Sequence, residues 1–141
     1  MQETKAITAY KQGLRVKILT TAMADFRQRG IRGVTMDDVA TELGISKRTL
    51  YEIFDKKEDL LFETMKHYYV ERTEWMQMKS LHCANVMEII LAVYRLKVEE
   101  FQQTNPNFYS DVVKYPHVLR FLNQENMANR EKFQRFIEHG I

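Results

Sequence analysis

The chain has 141 residues, 45% hydrophobic and 28% charged, enough for one ordinary domain or for one small domain and part of a second, with the composition of a globular protein in water. Cys83 is the single cysteine, which excludes an internal disulfide and a zinc site of paired thiolates and suits a reducing cytoplasm; no apolar run has the length of a signal peptide or a membrane span. The net charge of +2 is weakly basic, and the surplus lies in residues 1–60, which hold 11 Lys or Arg against 9 Asp or Glu.

Only five Gly and two Pro interrupt the chain, so long helices are the default expectation. Leu14, Ile18, Ala22 and Phe26 recur every four residues and put an apolar stripe on a first helix, which Gly30 should stop by taking a left-handed conformation. Thr35 offers a hydroxyl to cap a second helix, with Asp37 and Asp38 in its first turn. Leu43, Gly44 and Ile45 leave a three-residue turn, and Ser46 then caps a third helix meeting the second at a steep angle.

Asp55 and Glu58 have the spacing of a capping box for a fourth helix, predicted to run about 25 residues, or roughly 38 Å, to Ser80. Asn85 and Glu88 repeat that spacing before a fifth helix with Val86, Ile89, Ile90, Val93 and Phe101 on its apolar face. Asn105 and Pro106 end it, residues 107–114 predict a short sixth helix, and Pro116 opens a seventh that runs to Gly140. A brief strand over residues 111–115 is the one alternative to helix. The fold class is therefore all-α: a three-helix N-terminal domain, residues 1–54, joined by a long fourth helix to a C-terminal helical bundle, residues 55–141.

Residues 35–54 carry the chemistry. Ala40 is small where two helices must approach, Gly44 permits the corner, and Val39, Leu43, Ile45, Leu50 and Ile53 supply the apolar contacts that hold the crossing angle. Ser46 caps the second helix of the pair and leaves Lys47, Arg48, Thr49 and Tyr51 on its outer face, where such a helix enters the major groove of double-stranded DNA.

Catalysis finds no support. His82 and Cys83 are adjacent and point in different directions, Glu99 and Glu100 likewise, and His67, His117 and His139 lack metal-ligand spacing, so no enzyme activity, metal or cofactor is expected.

Over residues 14–61 the sequence resembles the tetracycline-repressor (TetR) family of bacterial regulators. The residues that carry the resemblance are Ile18, Ala22, Phe26, Gly30, Thr35, Val39-Ala40, Gly44-Ile45-Ser46, Thr49-Leu50-Tyr51, Phe54 and Lys57-Glu58-Asp59-Leu60. It implies a transcription regulator, a repressor, that binds operator DNA as a homodimer and responds to a small-molecule effector. Thr35, Tyr51 and Lys57 would meet phosphates; Lys47, Arg48 and Thr49 would face the groove, with Arg48 placed for a bidentate contact to guanine. Two departures stand out: relatives often carry Gly at the place of Arg48, and a His where this chain has Ile53.

The resemblance further implies a ligand cavity among the fourth to seventh helices, for which Tyr68, Trp75, Met87, Tyr94, Phe101 and Phe108 are candidates, although their spacing is mostly that of helix cores. Relatives usually carry two further long helices that form the dimer interface, and this chain ends near where they would begin, so the C-terminal bundle is expected to be incomplete. The rival reading is a DNA-architectural or protein-interaction module with a fully packed interior and no effector.

Overall fold

A computed structural model describes residues 2–139, and every regular element in that range is helical: α1 (Gln2–Arg29), α2 (Met36–Leu43), α3 (Lys47–Ile53), α4 (Lys57–His82), α5 (Val86–Gln103), α6 (Pro106–Val112) and α7 (Pro116–His139). The all-α class is thus as the patterning predicts. Gly140, the predicted end of the seventh helix, lies outside the described residues.

The four-residue stripe of α1 forms the centre of the core. Leu14, Ile18, Ala22 and Phe26 are buried, and Ile31, Val34, Val39, Leu50, Leu60 and Leu61 close around them. The same cluster reaches Phe108, Val112 and Val118, so apolar packing is continuous from α1 to the start of α7 and crosses residue 54 without a break. Helix α1 contacts α2, α4 and α6, which makes it the shared wall of both halves.

The end of α1 is bonded into the second half of the chain. The Asn105 N–H donates to the Arg27 carbonyl at 2.6 Å, and the Asn105 side-chain amide donates to the Gln28 carbonyl at 3.3 Å. These bonds satisfy helix-end carbonyls that would otherwise lack a partner. Asp111 accepts from the Arg32 N–H at 3.0 Å. Gly30 sits between these bonds with φ of 80°, and a Cβ there would stand 3.1 Å from the Asn107 Cβ.

Three local expectations need correction. Asp55 does not cap α4: Phe54, pinned in the core, leaves α3 in an extended conformation, and Lys56 becomes the flanking residue, with no side-chain cap bond. Residues 111–115 form the end of α6 and a turn rather than a strand, closed by Lys114 N–H to Asp111 O at 3.0 Å and Tyr115 N–H to Val112 O at 3.1 Å. Phe101 is 68% exposed rather than on the inner face of α5. At 100° per residue, Glu100 shares the azimuth of Ile89, Val93 and Leu96, whereas Phe101 lies a quarter-turn or more away and stacks on Tyr109. The cap at Asn85 does form, and Glu88 reaches back to the Ala84 N–H at 2.8 Å.

The strain at Gly30 gives a direct test. Gly30→Ala puts a side chain into left-handed backbone, at about 1–2 kcal/mol, and presses on Asn107 as well. Equilibrium urea denaturation should show a loss of at least that size, and an unchanged midpoint would refute the account of this junction.

Candidate nucleic-acid interface

The corner between α2 and α3 is built from three small devices. Thr35 opens α2 with a reciprocal cap: its hydroxyl accepts from the Asp38 N–H at 3.0 Å, and its own N–H donates to the Asp38 carboxylate at 2.9 Å. These bonds, the backbone N–H first, hold the Asp38 carboxyl below the ordinary carboxylate range. Gly44 ends α2 with φ of 68°, and the Ile45 N–H returns to the Ala40 carbonyl at 3.0 Å. Ser46 then caps α3, accepting from the Thr49 N–H at 3.1 Å.

Burial fixes which side of α3 faces outward. Leu50 and Phe54 are buried and Ile53 is half-buried against the core, while Lys47, Arg48, Tyr51 and Glu52 are exposed and Thr49 is half-buried. Lys47 reaches Asp37 at 2.7 Å, which brings the first turns of α2 and α3 together and raises the Lys47 ammonium above its ordinary range. Arg48, 89% exposed at its side chain, leans on Glu52 one turn along at 3.2 Å. Arg29 lies 3.4 Å from Asp38. Exposed pairs of this kind are weak in water, so the cations are readily exchanged for a phosphate or a base.

Of the residues singled out from the sequence, Thr35, Ser46, Lys47, Arg48, Thr49 and Tyr51 all fall on or beside this corner. Lys57 does not join them. Its ammonium donates to the Ile31 carbonyl at 2.5 Å, half-buried beneath α4, and desolvation lowers its pKa. It ties the first turn of α4 to the loop after α1, while its neighbour Lys56 is exposed. Adjacent helical positions point about 100° apart, so one of the two lysines must turn away, and the sequence pair alone does not say which.

A buried carboxyl braces the back of the corner. Asp25 on α1, only 5% exposed, lies beside Glu42 on α2, and its buried Oδ2 has no hydrogen-bond partner. Burial first, then Glu42, push its carboxyl up to about 7, with Arg29 opposing. No signal at residue 25 marks this pair in the sequence, because its partner comes from another helix.

The aromatic candidates separate. Tyr68 and Phe108 line a half-open cavity of about 240 Å³ bordered by α1 and α4–α7, together with residues that the periodicity does not single out, among them Met23, Arg27 and Met65. Trp75, Met87, Tyr94 and Phe101 lie outside that lining. Met87 and Tyr94 are exposed, and Trp75 is half-buried with Lys79 over its ring. Among the described residues no group of three or more His, Cys, Asp or Glu is placed to hold a metal ion, and no helix is long and apolar enough to cross a membrane.

A short capped helix, held across a glycine corner with cationic and hydroxyl groups outward, is a helix-turn-helix of the DNA-binding type. Residues 18–64 match the profile of bacterial regulatory proteins, tetR family, and this segment of the chain belongs to that family. Over 61 residues the chain is 36% identical to the HTH-type transcriptional repressor KstR2 of Rhodococcus jostii (strain RHA1), covering 43% of this chain and 30% of that protein. Over 50 residues it is 36% identical to the biofilm operon icaADBC HTH-type negative transcriptional regulator IcaR of Staphylococcus aureus (strain Newman), covering 36% and 27%. The matches thus span less than a third of the length of these relatives. No solved structure gives a significant match.

The Asp25 carboxyl makes the corner pH-sensitive with a definite sign. With the folded value near 7 and the unfolded value at 3.8, the neutral form is favoured in the fold, so this contribution is intact below 3.8 and is lost as pH rises through 7. Asp25→Asn stays neutral throughout. The melting temperature of the variant should therefore gain on the native chain between pH 5 and pH 8; a pH-independent difference would overturn the assignment.

Proposed function

We propose that this chain is a sequence-specific DNA-binding transcription regulator, a repressor, that acts as a homodimer in the cytoplasm and whose DNA affinity is set by a small molecule. The observation that carries the reading is the outward face of α3: Lys47, Arg48 and Tyr51 project from a helix whose position is held by Ser46, Gly44 and buried Leu50, while their charges are held only by exchangeable surface pairs. Repression is supported by the similar proteins, described as a transcriptional repressor and a negative transcriptional regulator.

In this reading α3 lies in the major groove. Arg48 trades Glu52 for a guanine edge, Lys47 and Thr49 face neighbouring bases, and Ser46 at the helix start sits close to the backbone. Thr35 and Tyr51 donate to phosphates; the Thr35 hydroxyl oxygen already caps α2, which leaves its proton free to donate. Lys57 acts from behind, positioning α4 on the loop after α1, and Lys56 is the better-placed phosphate contact.

Residues 1–54 dock on DNA and residues 55–141 sense and dimerise, with α4 and the continuous core transmitting between them. The cavity of about 240 Å³ supports an effector over an architectural module without a ligand site. Exposed Val70, Met78 and Leu81 on α4, with Met127 and Phe133 on α7, support a self-association surface. Two α3 helices would then meet half-sites about one helical turn apart.

Selection of bound duplexes from a random pool with the purified chain should return a two-fold symmetric site. On that site Arg48→Ala should lose about 1–3 kcal/mol relative to the native chain, with little change on random DNA. An equal loss on both would make Arg48 a phosphate contact, and no salt-dependent binding to any duplex would remove the function.

A further inference from the structure

The cavity beside α1 contains one charge that the protein leaves unbalanced. The Arg27 guanidinium, half-buried in its wall, donates from Nε to the Thr104 hydroxyl at 3.1 Å and from Nη2 to the Glu100 main-chain carbonyl at 3.3 Å. Both acceptors are neutral, and among the described residues no carboxylate pairs with it. The neighbouring Glu100 carboxylate is occupied otherwise: it accepts from the Tyr68 hydroxyl at 2.6 Å and is ion-paired with Arg72. Arg27, Arg72 and Glu100 together therefore leave one positive charge, and it faces the cavity at Arg27.

A half-buried cation with no anionic partner is unfavourable, and an anion that enters its site relieves the penalty. A guanidinium has five N–H donors in a planar fork suited to two carboxylate oxygens, and here two are engaged. Apart from Glu100, Thr104 and Asn126, the rest of the wall is apolar or aromatic, Met23, Met65, Tyr68 and Phe108 among it. A volume of about 240 Å³ is below the range of about 300–1,000 Å³ for drug-sized ligands. It exceeds the roughly 150 Å³ that suffices for a benzene molecule. One ring and a short acidic arm fill it.

We propose that this cavity binds a small aromatic monocarboxylate whose carboxylate is gripped by Arg27. The proposal rests on the reading of the chain as an effector-responsive regulator and gives the effector's chemical class. Arg27 is also the residue through which occupancy reaches the DNA-binding corner. Its carbonyl is held by Asn105, and Arg29, two residues on, contacts Asp38 in the cap of α2. A carboxylate that draws the guanidinium away from Thr104 and the Glu100 carbonyl loosens the side-chain half of the junction between α1 and α5.

Isothermal titration of the full chain with phenylacetate, its neutral isostere phenylacetamide, and the cation benzylamine tests the assignment without a mutation. Phenylacetate should bind saturably, the amide at least tenfold more weakly, and benzylamine not at all. Arg27→Gln, checked for native helix content and a cooperative melt, should bring acid and amide to equal affinity, whereas Thr104→Val, which keeps the guanidinium, should retain the preference. Equal binding of acid and amide by the native chain, or no binding of the acid at millimolar concentration, overturns the proposal. The effector reading is judged separately on the selected duplex: amide binding as tight as the acid's, with a shift in DNA affinity, would leave a regulator with a different ligand class. Acid binding that leaves DNA affinity unchanged would keep the site and remove its regulatory role.

Discussion

Helix α1 is the element on which the rest of the molecule depends, because one apolar stripe and one glycine-terminated end serve both halves of the chain. Phe26, Ile18 and Ala22 are fully buried where α2 and α4 converge; the last turn is bonded to Asn105 at the start of α6, and the loop that follows to Asp111 near the end of α6. A packed core does not deform continuously, so a displacement at one side of such a helix is transmitted rather than absorbed. The close fit of Gly30 against Asn107 concentrates that coupling at one backbone position.

The presenting helix α3 is rigid in position and loose in its charges. Its frame consists of caps, a left-handed glycine and buried Leu50, each with a defined geometry. Its outer cations rest on Asp37 and Glu52 in exposed pairs of small net strength. This division suits a surface that must reach a polyanion in a set orientation and then exchange partners: the backbone geometry is prepared in advance, and few protein interactions are lost on docking. It also explains why a net charge of only +2 is compatible with a nucleic-acid surface, since the acidic partners mask the basic groups until a phosphate displaces them.

How far residues alone reveal function differs sharply between the two ends. Thr35, Gly44 and Ser46 are legible because a cap or a left-handed turn is decided within four residues, and the side chains that satisfy it are its neighbours in sequence. Lys57 misleads for the opposite reason: its partner, the Ile31 carbonyl, is 26 residues away, and only packing of α4 on α1 shows that its ammonium turns inward. Asp55 misleads through competition, since the spacing of a capping box is present but burial of Phe54 moves the helix start past it. Phe101 shows the limit of treating aromatic residues as inner-facing: the period of α5 assigns that azimuth to Glu100.

By itself, the order of residues determined the helical class, the stripe of α1, the glycine corner and the chemistry along α3, because these follow from local backbone preferences and a period of 3.6 residues. The tertiary structure decided which of two adjacent lysines faces outward, that Asp25 meets Glu42, and that Arg27 stands in a cavity wall without a carboxylate partner. Each of those depends on side chains brought together from separate helices, and pairings across such distances leave no periodic trace in a single chain.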